Sequence, residues 1–106
     1  MTRVATVVLA AGGSSRMGSP KQLLRIDGIT LVRRAAETAL ASRCQRVYVV
    51  VGAAAEAVRR ELSELSLEVI ENPDWEEGLA GSIRAGIEAV HAGRPEFDAA
   101  ILATVD

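Results

Sequence analysis

The residues best equipped for chemistry lie in one stretch, Leu9-Ala10-Ala11-Gly12-Gly13-Ser14-Ser15-Arg16-Met17-Gly18-Ser19-Pro20-Lys21. A glycine-rich loop directly after a β-branched run lets backbone N–H groups point at an anion and lets that anion come close, so phosphate is its natural occupant. Two cations accompany it. Arg16 offers a planar fork suited to bidentate phosphate contact, and Lys21, held by the stiff Pro20, is a compact point charge. Together they can neutralise part of a triphosphate. Two common phosphate motifs fail here. The dinucleotide fingerprint needs G-x-G-x-x-G, whereas Gly12 is followed by Gly-Ser-Ser-Arg-Met. A P-loop needs lysine directly after its last glycine, whereas Ser19-Pro20 follows Gly18. On these residues alone the competing reading is a solvated loop whose arginine and lysine touch nothing.

Other reactive residue types are scarce. One cysteine, Cys44, cannot form an internal disulfide, and one histidine, His91, cannot supply a cluster of metal ligands, so structural zinc and Cys/His catalysis are not expected. His91 reads as a helix C-terminal residue in a favourable dipole, and Trp75 as a packing residue, with a place over a ligand as its alternative. Asp106 stands at the carboxyl end of an apolar run, where ligands gather in an open α/β sheet.

The elements that must position these residues follow from periodicity. Val4 to Ala10 is a continuous apolar run suited to a central strand buried on both faces. Asp27-Gly28 between Ile26 and Ile29 marks a tight turn. Thr30 is an N-cap for a helix whose apolar positions Val32, Ala35, Ala36, Ala39 and Leu40 recur with helical spacing. Arg46 to Val51 is a second buried strand. Val58, Leu62 and Leu65 mark a second helix, with Glu56 and Arg60 paired four apart on its outer face. Leu67 to Ile70 is a short, charged edge strand broken by Asn72-Pro73-Asp74. Leu79, Ile83, Ile87 and Val90 form a third helical stripe, in which Gly81 and Gly86 each cost up to about 1 kcal/mol relative to alanine and need a reason. Asp98 to Val105 is a fourth core strand. The pairs Arg33-Arg34 and Arg59-Arg60 read as solvated helix faces. Strands alternating with crossover helices give an open, mostly parallel α/β sheet with helices on both faces. The stop at Asp106, with no element to cover the sheet, is read as a chain cut short.

Composition bounds the partners. The chain has 106 residues, 49% of them hydrophobic, with 12 Lys+Arg against 14 Asp+Glu. That length suits one domain, residues 1–106. The longest apolar runs fall far short of the ~20 residues of a membrane helix, and no signal peptide precedes the first strand, so a cytoplasmic protein without a membrane partner is expected. A net charge of -2 without a basic stripe gives no footprint for nucleic acid. Eleven of the twelve basic residues are arginine, and the one lysine, Lys21, falls in the glycine-rich stretch.

Leu9 to Leu24 resembles the signature L-A-A-G-x-S-x-R-M-G-x-x-K-x-L-L of the molybdenum cofactor cytidylyl- and guanylyltransferases. Asn72 to Gly86 resembles the same family's N-x-x-x-x-G-x-x-x-S-x-x-x-G segment, and Asp106 falls where these enzymes have the aspartate of a D-Q-P segment. The resemblance implies a Rossmann-like fold of the nucleotide-diphospho-sugar transferase type, of which this chain is the N-terminal, nucleotide-binding part. It implies transfer of a nucleotidyl group from a triphosphate, with Mg2+, to a phosphate-bearing acceptor, and release of pyrophosphate. By that resemblance the backbone from Gly12 through Gly13, Ser14 and Ser15 cradles phosphates, with Leu9, Ala10 and Ala11 completing the nucleotide site. Arg16 and Lys21 bear on the leaving pyrophosphate, and Asp106 holds magnesium. Asn72, Gly78 and Ser82 belong to the nucleotide site, the latter two near base or ribose; their structural alternatives are a helix start at Gly78 and a first-turn cap at Ser82. Ala11 favours CTP over GTP, although Gly13 blurs the alignment. The acceptor implied is molybdopterin cofactor, with a molybdenum enzyme as a possible recipient. A cytidylyltransferase of sugar- or polyol-phosphates and a non-catalytic nucleotide-binding accessory protein are the alternatives.

Overall fold

A computed structural model describes residues 2–13 and 20–105. Arg16, Ser14, Ser15 and Asp106 therefore lie outside the described residues. The sheet has four parallel strands. The first, β1 (Val4–Ala10), is followed by a two-stranded hairpin of β2 (Arg25–Ile26) and β3 (Ile29–Thr30), then α1 (Leu31–Ala41), β4 (Arg46–Val51), α2 (Ala55–Glu61), β5 (Glu68–Glu71), α3 (Leu79–Ala92) and β6 (Ala99–Thr104). The order across the sheet is β5-β4-β1-β6, with β1 paired to β4 from Ala5–Arg46 to Ala10–Val51 and to β6 from Val4–Ala99 to Leu9–Thr104. The chain thus runs outward through β4 and β5 and then crosses back to the other side of β1. Such a reversal opens a crevice at the carboxyl ends of the strands.

The period-2 alternation of β1 and β4 sends valines to both faces. Val8, Val47, Val49 and Val51 pack against Val32 and Ala36 of α1 and Val58 of α2. On the opposite face, Val7, Tyr48 and Val50 pack against α3 through Val90. The hairpin turns as its sequence requires, with Asp27 at φ 54° and Gly28 at φ 80°. Thr30, buried, caps α1 by accepting from the Arg33 amide, and its hydroxyl donates to Glu61 Oε1 at 3.0 Å. Thr30→Ala removes both bonds, and an expected loss of about 1–2 kcal/mol should appear as a lower urea midpoint with unchanged slope.

Five expectations are corrected. The second helix ends at Glu61, so Leu65 lies beyond it. Among the described residues no ion pair joins Glu56 to Arg60; Arg59 pairs with Glu71 instead, at 3.4 Å. Arg33 is no solvated surface residue, because its guanidinium donates to the Glu61 carbonyl at 2.9 Å and pairs with Glu37 and Glu64. The third helix keeps Val90 of the expected stripe buried and Ile83 partly buried, but turns the other half of that stripe outward. Leu79 and Ile87 are 60% and 42% exposed, whereas Ser82, Gly86 and Val90 are buried. The reason is close approach: a Cβ on Gly86 would stand 2.6 Å from Val7 Cγ1 and 3.3 Å from Val50 Cγ2. Only a small side chain lets this helix sit on a sheet of valines. The Leu67–Ile70 edge strand is found as β5, but β6, expected as a core strand, forms the opposite edge with Ile101 55% exposed.

Candidate functional site

The carboxyl end of β1 feeds directly into Ala11-Gly12-Gly13, beside the loop that leaves β4 at Gly52. The two loops are joined by the Ala53 amide, which donates to the Ala11 carbonyl at 2.9 Å. Over them lies Trp75, from the 3-10 turn Trp75–Glu77 that follows β5. A Cβ on Gly13 would meet its ring at 2.9 Å, and one on Gly52 would stand 2.5 Å from Trp75 Cβ and 2.9 Å from the Ala11 carbonyl oxygen. Both glycines therefore exist where a plain side chain would collide. Gly52→Ala must displace either the indole or the Ala11 peptide. An expected cost of about 1–3 kcal/mol, together with a shift in the emission of Trp75, would be read by urea unfolding and fluorescence.

Gly78 is the N-cap of α3 and has φ +117°, a conformation that suits glycine. Ser82 is buried one turn later, but does not cap the helix. Its Oγ accepts from Asn72 Nδ2 at 3.0 Å, while Asn72 Oδ1 accepts from the Asp74 amide at 3.0 Å. The buried Asn72 thus ties the end of β5, the 3-10 turn and the first turns of α3 into one wall.

Between this wall and the glycine loop is a cleft of about 290 Å³, into which Leu9, Ala11, Gly12, Gly13, Gly78 and Ser82 all face. Six residues expected from two separate stretches of sequence meet there. Trp75, Glu76 and Leu79 complete the lining. Ala10 and Asn72 stand behind it, and Lys21 is an exposed residue of the 3-10 turn Lys21–Leu23, outside the lining. Two larger hollows lie elsewhere, one of about 390 Å³ around Cys44 and Ser66 and one of about 520 Å³ between α1 and β6. Neither is lined by a described residue of the glycine loop, and in open α/β sheets ligands gather at the carboxyl ends of the strands. The smaller cleft is the functional candidate. Among the described residues no three His, Cys, Asp or Glu side chains group as metal ligands, and no helix is long and apolar enough to cross a membrane.

Both sequence readings of Trp75 meet in the structure, since it packs on Gly52 and also walls the cleft. One contributor is absent from the sequence reading. Gln22, next to Lys21, is 4% exposed, and its amide donates to the carbonyls of Ala10 at 3.0 Å, Gly12 at 2.8 Å and Ala53 at 3.4 Å. A side chain bonded to backbone leaves no periodic signal in a sequence.

The chain is 43% identical over 89 residues to nicotine blue oxidoreductase of Paenarthrobacter nicotinovorans, covering 83% of this chain and 44% of that protein. It is 33% identical over 91 residues to molybdenum cofactor cytidylyltransferase of Escherichia coli K12, covering 85% of this chain and 47% of that one. In structure it is similar to a nucleotidyl transferase from Methanothermobacter thermautotrophicus, with TM-score 0.84 at 30% identity, over 98% of this chain and 50% of the other. The chain therefore spans about half the length of the curated relatives it matches. The glycine loop, the Asn72 to Ser82 wall and the parallel sheet that brings them together fall within residues 6–106, which match the MobA-like NTP transferase domain, and the chain belongs to that family of nucleotidyltransferases.

Proposed function

We propose that this chain forms the nucleoside-triphosphate-binding half of an enzyme that transfers CMP, ahead of GMP, to a phosphate-bearing acceptor, with molybdopterin cofactor as that acceptor. The carrying observation is the convergence of Leu9, Ala11, Gly12 and Gly13 with Gly78 and Ser82 on one cleft at the carboxyl end of β1. Its volume lies near the lower end of ordinary ligand pockets, roughly 300–1,000 Å³, which suits a base and ribose with the phosphates extending along the glycine loop.

In the reaction an acceptor phosphate oxygen forms a bond to the α-phosphorus while the bond to the departing pyrophosphate breaks. No protein nucleophile is needed; the work is positioning and neutralisation of charge. The amides of Gly12 and Gly13, with Ser14 and Ser15, receive phosphate oxygens. Arg16 and Lys21 balance the charge of the pyrophosphate. Asn72, by holding Ser82, fixes the wall against which base and ribose rest. Magnesium takes one or two protein carboxylates and completes its shell with phosphate oxygens and water, so a single Asp106 fits that donor chemistry without a cluster of ligands. Bound there, the ion would polarise and neutralise the phosphates.

A sugar- or polyol-phosphate is the second acceptor class, and a nucleotide-binding accessory role to a molybdenum enzyme the non-catalytic alternative. The name of the 43% identical relative raises a third possibility, since one fold can carry unrelated chemistries. Pyrophosphate release with CTP, Mg2+ and molybdopterin tests the proposal. Release that depends on the acceptor and is faster with CTP than GTP is expected. Nucleotide binding without release favours the accessory role, and redox conversion of nicotine blue without release moves the chain to its relative's chemistry.

A further inference from the structure

We infer that Gln22 is a positioning residue for the glycine loop, setting the direction of the amides that receive phosphate; the inference rests on the nucleotide-binding reading above. Its side chain is buried within a backbone junction. One amide nitrogen, carrying two protons, faces three carbonyl oxygens, those of Ala10, Gly12 and Ala53, at 3.0, 2.8 and 3.4 Å. The Ala11 carbonyl, between the first two, is taken by the Ala53 amide. Three successive carbonyls at the end of β1 are thus all engaged by Gln22 or by the loop leaving β4.

The consequence follows from peptide geometry. These peptide bonds are trans, Arg94–Pro95 being the only cis bond among the described residues. In a trans peptide the C=O and the following N–H point to opposite sides of the chain. Engaging the Ala11 carbonyl turns the Gly12 amide away from Ala53, and engaging the Gly12 carbonyl turns the Gly13 amide away from Gln22. Glycines offer no side-chain resistance to flipping either peptide. The orientation of this segment must therefore come from the partners of its carbonyls, and Gln22 supplies two of the three bonds. The same residue sits in the 3-10 turn that carries Lys21, closed by the Leu23 amide on the Pro20 carbonyl at 3.1 Å. Gln22 thereby couples the placement of the lysine to that of the amides.

Gln22→Met keeps the length and removes the donor; Gln22→Asn keeps a donor on a stem one methylene shorter. Amide NMR of the wild-type protein and both variants, with and without CTP and Mg2+, separates the possibilities. The expected result for Gln22→Met is faster hydrogen exchange and shifted resonances at Ala11, Gly12 and Gly13, unchanged β4 and β5 resonances, and about 10- to 100-fold weaker CTP binding. Gln22→Asn should recover part of that affinity. Loop resonances and affinity unchanged in Gln22→Met overturn the inference, as does loss of binding accompanied by loss of the β4 and β5 resonances in both variants. If the wild-type chain binds neither CTP nor GTP while the loop resonances still change in Gln22→Met, the nucleotide reading fails and Gln22 is a structural brace, which also overturns its positioning role.

Discussion

Lys21→Ala is expected to lower nucleotide-dependent turnover by about 10²–10³-fold, the scale observed when one charge-stabilising group is removed from a transferring centre. Lys21 is the only lysine in the chain, is exposed, and follows the stiff Pro20 at the start of a short 3-10 turn. Loss of an exposed charge alters stability by about 1 kcal/mol or less, so the fold should survive. The defect then belongs to binding and chemistry. Lys21→Arg should fall between, because a planar fork carries the charge but not the compact geometry of an ammonium. Steady-state kinetics beside thermal unfolding checks both halves of the expectation, and a variant with wild-type turnover would remove Lys21 from the site.

The second large effect concerns stability. Gly86→Leu is expected to abolish folding, and Gly86→Ala to cost about 1–3 kcal/mol even though alanine gains about 1 kcal/mol of helix propensity. The added Cβ meets Val7, a fully buried residue of the central strand that has no room to retreat. Because α3 carries Ser82 and is preceded by its N-cap Gly78, lifting it would also open the cleft. Urea unfolding of Gly86→Ala measures the cost directly. A rise in stability would mean that α3 can move away from the sheet without penalty.

The same residue shows what a sequence can and cannot reveal. The strands were legible because a sheet covered on both faces demands continuous apolar runs, which Val4 to Ala10 and Arg46 to Val51 supply. The turn at Asp27-Gly28 and the cap at Thr30 were legible because their chemistry is local. The inward face of α3 was not, because Leu79 and Ile87 advertise an apolar stripe while close packing on valines selects Ser82 and Gly86. Hydrophobic periodicity counts what a side chain brings and not the space that a missing side chain leaves. In the site, the glycine loop and the Asn72 to Ser82 segment announced themselves by residue type and spacing. Gln22 and the seating of the indole on Gly13 and Gly52 did not, since both act on backbone brought together by the fold: Gln22 reaches from residue 22 back to residues 10 and 12 and across to 53. Arg33 belongs with them, as its partner Glu61 is supplied by a different helix.

Trp75 is the only tryptophan and lines the cleft, so its emission reports on occupancy without a label. Titration of the wild-type chain with CTP and with GTP, each with and without Mg2+, tests the central claim that this cleft holds a nucleoside triphosphate. A saturable, magnesium-dependent change in emission, tighter for CTP and strongly weakened in Lys21→Ala, is the predicted result. Emission indifferent to both nucleotides, or a change that is the same in Lys21→Ala, would contradict it.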